Sequence, residues 1–232
     1  MRQFASACGI WLCLTAPMMA DSESGVVVEL YTSQGCSSCP PADAFLADLS
    51  AMAGVIPLAL HVDYWDYIGW ADTFGNPSFT ARQKAYAHAA GEKMIYTPQM
   101  IVDGALRVEG NQPKAVAEAI RASQDDSNRV GLTLTRRDGA VEIFAAPQAG
   151  LPEEMMVQLV RYRARQDVAI ERGENEGLNL AYHNIVISWT AIGEWAGDVP
   201  LQMNIPVPGE DGVVVIIQAE GPGAIVAAAR LK

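Results

Sequence analysis

Cysteine and basic residues are scarce in this sequence, and no apolar run is long enough to cross a membrane. Four cysteines in 232 residues exclude a fold stapled by many disulfides. A chain of this length can build its own hydrophobic core instead. Sixteen Lys and Arg stand against 27 Asp and Glu, a formal net charge of −11. That balance argues against nucleic acid, whose affinity comes largely from cations on phosphates, and against an anionic membrane surface. Acidity alone identifies no partner. There is no Met/His-rich tract, no internal repeat and no low-complexity segment.

The N-terminus has the layout of a secretory signal. One positive charge at Arg2 precedes an apolar or small stretch from Phe4 to Thr15, and Asp21-Ser-Glu-Ser24 follows a small-residue site at Ala20. The expectation is a signal peptide over 1–20 and a periplasmic or secreted protein with no membrane span in the mature form. Cleavage would remove Cys8 and Cys13 and leave Cys36 and Cys39 alone.

The polar run Gln124–Asn128 divides the rest into expected units of 21–126 and 127–232. In the first, Val26–Thr32 and Val55–Val62 read as covered strands. A helix starts around Cys36 to Pro40 and runs to Met52, with Gly54 as its stop. Asn76-Pro77 opens a second helix that ends near Gly91. Asp103-Gly104 joins Gln99–Val102 to Ala105–Val108 as a tight hairpin, and Pro113 opens a last helix. The order is βαβαββα. The second unit reads as all-β, with strands at 130–135, 140–146, 157–162, 180–191, 201–207, 213–219 and 224–231, and a β-sandwich is expected. The stretch 157–162 also fits a helical period.

Cys36 lies where the first strand turns into the first helix. A thiolate there faces the positive end of the helix dipole and unpaired N–H groups, which favour the charged form. Cys39, one turn later, can close a disulfide. The expected chemistry is attack by a solvent-reachable Cys36 and resolution by Cys39, with no cofactor beyond that redox-active pair. Thr97-Pro98 precedes a strand, and a cis bond there would lay the Thr97 backbone beside the sulfurs to receive an extended substrate chain. Glu29 sits in an apolar strand. It is either solvated at an edge or a buried acid that shuttles a proton to Cys39.

These residues carry a resemblance. Val26–Ser123 looks like the thioredoxin-like superfamily. Nearly the whole mature chain resembles a bacterial family of secreted proteins of unknown function with a thioredoxin-like domain. The segments that carry it are Glu29–Asp43, His61–Trp70, Tyr96–Gly104, Arg172–Gly177 and Tyr182–Asn184. The resemblance implies Cys36 as nucleophile, Cys39 as resolving thiol and Pro98 as a cis-proline. It also implies a thioredoxin-like α/β domain ahead of the β-sandwich-like one.

Other features stay open between two readings. Tyr64 and Trp65, with Tyr67 and Trp70, form either a lid over the core or a peptide-binding surface beside the dithiol. His183 is either a satisfied histidine or a docking or metal group. Three functions follow. The first is a thiol–disulfide oxidoreductase acting on protein thiols or disulfides with a periplasmic redox partner. The second is a copper or soft-metal handler using both thiolates. The third is a non-catalytic module braced by a structural disulfide.

Overall fold

The computed structural model describes residues 22–124 and 130–231. The expected signal peptide and the expected division at 126/127 lie outside the described residues. The chain opens with a short edge strand β1 (Glu23–Ser24), then β2 (Val26–Thr32), α1 (Pro40–Ser50) and β3 (Val55–His61). A single 3₁₀ turn (Asp66–Ile68) leads to α2 (Pro77–Ala89), the hairpin of β4 (Gln99–Val102) and β5 (Leu106–Glu109), and α3 (Pro113–Gln124). The remainder is β6 (Leu132–Arg137), β7 (Ala140–Ala145), β8 (Met155–Ala169), β9 (Asn179–Trp195), β10 (Leu201–Pro206), β11 (Gly212–Ala219) and β12 (Ile225–Leu231).

Local chemistry accounts for several boundaries. The Asn76 side chain accepts from the Ser78 N–H, and Pro77 follows where no N–H is needed, so α2 starts there. Asp103 and Gly104 both have positive φ, 52° and 70°, which gives the β4–β5 turn the twist of its strands. The stretch 157–162 is part of strand β8, not a helix.

The expected fold class does not hold. The protein is not a thioredoxin-like α/β domain followed by a separate β-sandwich. Among the described residues it is mostly β, with three α-helices, and one nine-stranded mixed sheet takes strands from both halves in the order β1-β12-β11-β8-β9-β3-β2-β4-β5. β9 joins the two halves by running parallel to β3 at the Ala59–Ile185 pair. A second sheet, β10-β7-β6, is antiparallel throughout.

Burial explains why the halves share a sheet. On β11, Val213, Val215 and Ile217 pack against Leu132, Val141 and Ile143 of the small sheet. Their alternates Val214 and Ile216 pack with Val27, Tyr31, Ile56 and Leu58 of the first half and with Phe79 and Tyr86 of α2. Successive strand residues point to opposite faces, so one apolar run serves two cores. On the far side of β2 and β3, Val26, Val28, Leu30 and Ala59 meet α1 and α3 through Ala42, Leu46, Val116 and Ile120.

Candidate dithiol site

Cys36 and Cys39 are joined by a disulfide, with their Cα atoms 5.4 Å apart. Thr32 ends β2, the Cys36 N–H donates to the Ser33 carbonyl, and the Cys39 N–H donates to that of Cys36. Cys39 is the N-cap of α1, and its carbonyl accepts from the N–H groups of Ala42 and Asp43. Pro40 and Pro41 supply no amide hydrogens, so the start of this helix offers fewer free donors than most.

The structure corrects one expectation directly. Cys36 is 1% exposed and Cys39 0%, so the oxidised pair is covered rather than solvent-reachable. Ser37 and Ser38 between them are exposed. Three segments surround the turn. Trp65 and Ile68 pack against Gly35, where an added Cβ would lie 3.3 Å from Trp65 Cβ and 3.2 Å from Ile68 Cδ1. Asn111 Nδ2 donates to the Ser38 carbonyl at 2.9 Å. The β8–β9 loop supplies Asn175, whose Nδ2 donates to the carbonyls of Gln34 and Cys36 at 2.9 and 3.0 Å.

The predicted binding residues gather on the same side. Thr97-Pro98 is cis. The Pro98 carbonyl accepts from the Gly110 N–H, and a Cβ at Gly110 would meet both Pro98 Cβ and Ala42 Cβ, three residues beyond Cys39. Trp65 Nε1 donates to Thr97 Oγ1 at 2.8 Å. The Tyr64 hydroxyl lies between Gln83 Oε1, at 3.3 Å, and the Thr97 side chain, and burial pushes its pKa up to about 12 against the lowering influence of both.

Glu29 is placed elsewhere. Alternation along β2 points it to the α2 face, opposite α1. There it is fully buried and accepts from Arg82 Nε and Nη2, each at 2.8 Å, and from the Tyr31 and Tyr86 hydroxyls at 2.8 and 2.7 Å. Burial works to lower the Arg82 pKa, but the Glu29 charge overcomes it and holds the guanidinium well above its ordinary value. Burial and the Glu29 charge push both tyrosines up. This is a buried, fully hydrogen-bonded ion pair that ties β2 to α2.

A buried acid follows Cys39 by one helical turn, and it is Asp43. It is on the first turn of α1, 6% exposed, and its N–H bonds to the Cys39 carbonyl. Neither carboxyl oxygen has a hydrogen-bond partner of normal geometry. Burial raises its pKa to about 7, against the lowering influence of His61 and Thr32. His61 Nδ1 pairs with Asp72 Oδ2 at 2.7 Å, and the same oxygen accepts from the Gln34 N–H at 2.8 Å. Burial works to raise the Asp72 pKa, but His61 and the amides of Gln34 and Phe74 bring it below its ordinary value. Thr32 Oγ1, His61 Nε2 and the Tyr182 hydroxyl are buried without partners. Tyr182 packs edge-on to His61 at 4.9 Å, and burial with the charges of Asp43 and Asp72 raises its pKa. The signal for Asp43 was its place, four residues after Cys39, on the helix face that carries Ala42, Leu46 and Leu49 inward.

His183 lies apart from the dithiol on β9, partly exposed, and burial together with Arg165 lowers its pKa. Among the described residues no group of three or more His, Cys, Asp or Glu is placed to hold a metal.

The family model "Protein of unknown function (DUF1223)" matches residues 27–218. The chain belongs to this family. A crystal structure of an Agrobacterium tumefaciens protein is 31% identical, with a TM-score of 0.77 over 89% of this chain and 93% of that one. HBP35 of Porphyromonas gingivalis shares the fold alone, at 13% identity and a TM-score of 0.58, over 90% of this chain and 74% of that one. No match to a curated protein is found.

Proposed function

We propose that this DUF1223 protein is a thiol–disulfide oxidoreductase that uses the Cys36–Cys39 pair on protein thiols or disulfides. The observation that carries the reading is the bonded pair at the head of α1, and the approach of Trp65 to Gly35 and of Pro98 to Ala42 through Gly110 supports it. In the reducing direction the Cys36 thiolate attacks a substrate disulfide. One substrate sulfur leaves as a thiol and a mixed disulfide forms. Cys39 then attacks Cys36, the second substrate thiol leaves, and the Cys36–Cys39 bond closes, so two electrons pass from the dithiol to the substrate. We assign Asp43, one turn after Cys39 on α1 and with an elevated pKa, the role of taking the Cys39 proton in the second step. Kinship with thioredoxin-like proteins belongs to this proposal and rests on the site, not on the fold.

The signal-like N-terminus supports an extracytoplasmic location, where disulfides persist and a redox partner is needed. No described helix is long and apolar enough to cross a membrane. A second reading, a structural disulfide bracing the turn, is favoured by the burial of both sulfurs.

Insulin reduction and the refolding of scrambled ribonuclease separate the two readings. The oxidoreductase reading expects activity that Cys36→Ser abolishes. Cys39→Ser is expected to trap mixed disulfides with the substrate. Equal, background-level rates for the parent and both variants favour the structural reading.

A further inference from the structure

The β8–β9 loop reaches the dithiol turn from the far half of the sequence. Glu174 Oε2 accepts from the Ser37 hydroxyl at 2.6 Å and lies 3.4 Å from the Ser37 amide. Asn175 is 3% exposed, and its amide group bridges the Gln34 and Cys36 carbonyls. Gly173, at φ 83°, sits against Trp70, where a Cβ would be 3.3 Å from Trp70 Cβ. The loop is therefore fastened at its tip. Its own turn is closed by the Gly177 N–H on the Ile170 carbonyl and the Ile170 N–H on that of Leu178.

We propose that this loop restrains the reactivity of Cys36, with Asn175 as the anchor and Glu174 as a positioning residue that disfavours the Cys36 thiolate. The geometry gives two reasons. Ser38 Oγ lies 3.4 Å from Cys36 Sγ, Pro40 and Pro41 bring no amide hydrogens to the turn, and Glu174 takes up both the amide and the hydroxyl of Ser37, the residue next to Cys36. A carboxylate one residue away also repels a thiolate directly. The other titratable groups near the turn are Asp43 under α1 and the His61–Asp72 pair below Gln34. These three are buried, whereas Glu174 is exposed and can be changed without opening the core. A thiol whose ionisation is disfavoured makes the reduced form less stable, which shifts the couple toward more reducing potentials.

The inference takes its meaning from the oxidoreductase reading, but its test reads only the thiol. The reduced, full chain is alkylated with iodoacetamide across pH 5 to 10, and labelling at Cys36 is followed by mass mapping. Glu174→Gln is expected to shift the Cys36 profile to lower pH and to speed labelling about three- to tenfold at pH 7. Glu174→Asp is expected to stay close to the parent. Asn175→Ala is expected to raise the limiting rate at high pH by releasing the loop from the Gln34 and Cys36 carbonyls, and circular dichroism checks that it is folded. Superimposable profiles for the parent and Glu174→Gln overturn the proposal. A shifted profile in a protein that fails the insulin and ribonuclease assays keeps the inference and removes the proposed function.

Discussion

Asp43 joins near-complete burial to two carboxyl oxygens that lack a hydrogen bond of normal geometry, an arrangement that costs stability whenever the group is charged. Its folded-state pKa, about 7, lies above the ordinary value of 3.8. The folded protein therefore holds more protons than the unfolded chain between those values. The stability linked to Asp43 is fully present below about pH 4 and is lost as pH rises through 7. Asp43→Asn removes that loss. We expect the variant to be more stable than the parent at pH 8, by on the order of 2–4 kcal/mol, with the difference fading toward pH 4 in urea melts. The same variant is expected to exchange disulfides more slowly and to lose the part of the pH–rate profile near 7. A variant that is less stable at pH 8, with an unchanged profile, contradicts both the buried charge and its use. Glu29 drew attention in the sequence because a strand acid among valines is conspicuous. Asp43 did not, because an acid in the first turn of a helix is ordinary until its neighbours are known.

At the scale of elements, the long hairpin of β8 and β9 carries the loop that fastens to the dithiol turn, and Asn184 ties that hairpin to β3. Asn184 has φ 48°, and its Nδ2 donates to the Pro57 carbonyl at 2.8 Å and lies 3.1 Å from Ser50 Oγ. Asn184→Ala loses both bonds and leaves, in the left-handed region, a residue without the short polar side chain that lets asparagine adopt it. It is expected to cost about 2–4 kcal/mol in denaturant unfolding, and Asn184→Gly less, since glycine tolerates that φ. Equal losses in the two variants would assign the whole cost to the hydrogen bonds. The individual strands and helices were largely legible because turn residues such as Asp103-Gly104 and Asn76-Pro77 mark their ends. The reach of the hairpin was not. Beyond Tyr162, β8 continues through Arg163–Ala169 with mostly exposed side chains, so no alternation of apolar and polar residues announces a strand. Pairing partners were not legible either, because a strand buried on both faces, as β11 is, carries no mark of which neighbours it joins.

Across the whole molecule, the sheet makes the two halves of the sequence interdependent. The core around Val27, Tyr31, Ile56 and Leu58 is completed by Val160, Val186, Val214 and Ile216 from the second half. A fragment of residues 22–124 therefore exposes one face of β2 and β3 and loses the Asn175 bonds to the Gln34 and Cys36 carbonyls. It is expected to show no cooperative unfolding transition, whereas the chain from residue 22 to 232 unfolds in one. A fragment with its own sharp transition would restore two independent units. This interdependence also explains how the site was read only in part. Cys36, Cys39, Thr97, Pro98 and Trp65 come together from the first half, while Asn175 and Glu174 arrive from a loop some 140 positions away, a distance that no local pattern spans.

The reduction potential of the Cys36–Cys39 pair, measured by equilibrating the full chain in glutathione buffers and quantifying the free thiols, tests the central claim most directly. The account predicts a reversible two-electron couple at a potential between about −120 and −270 mV, the range of working dithiols. A bond that stays closed to below about −300 mV, as structural disulfides do, would contradict it.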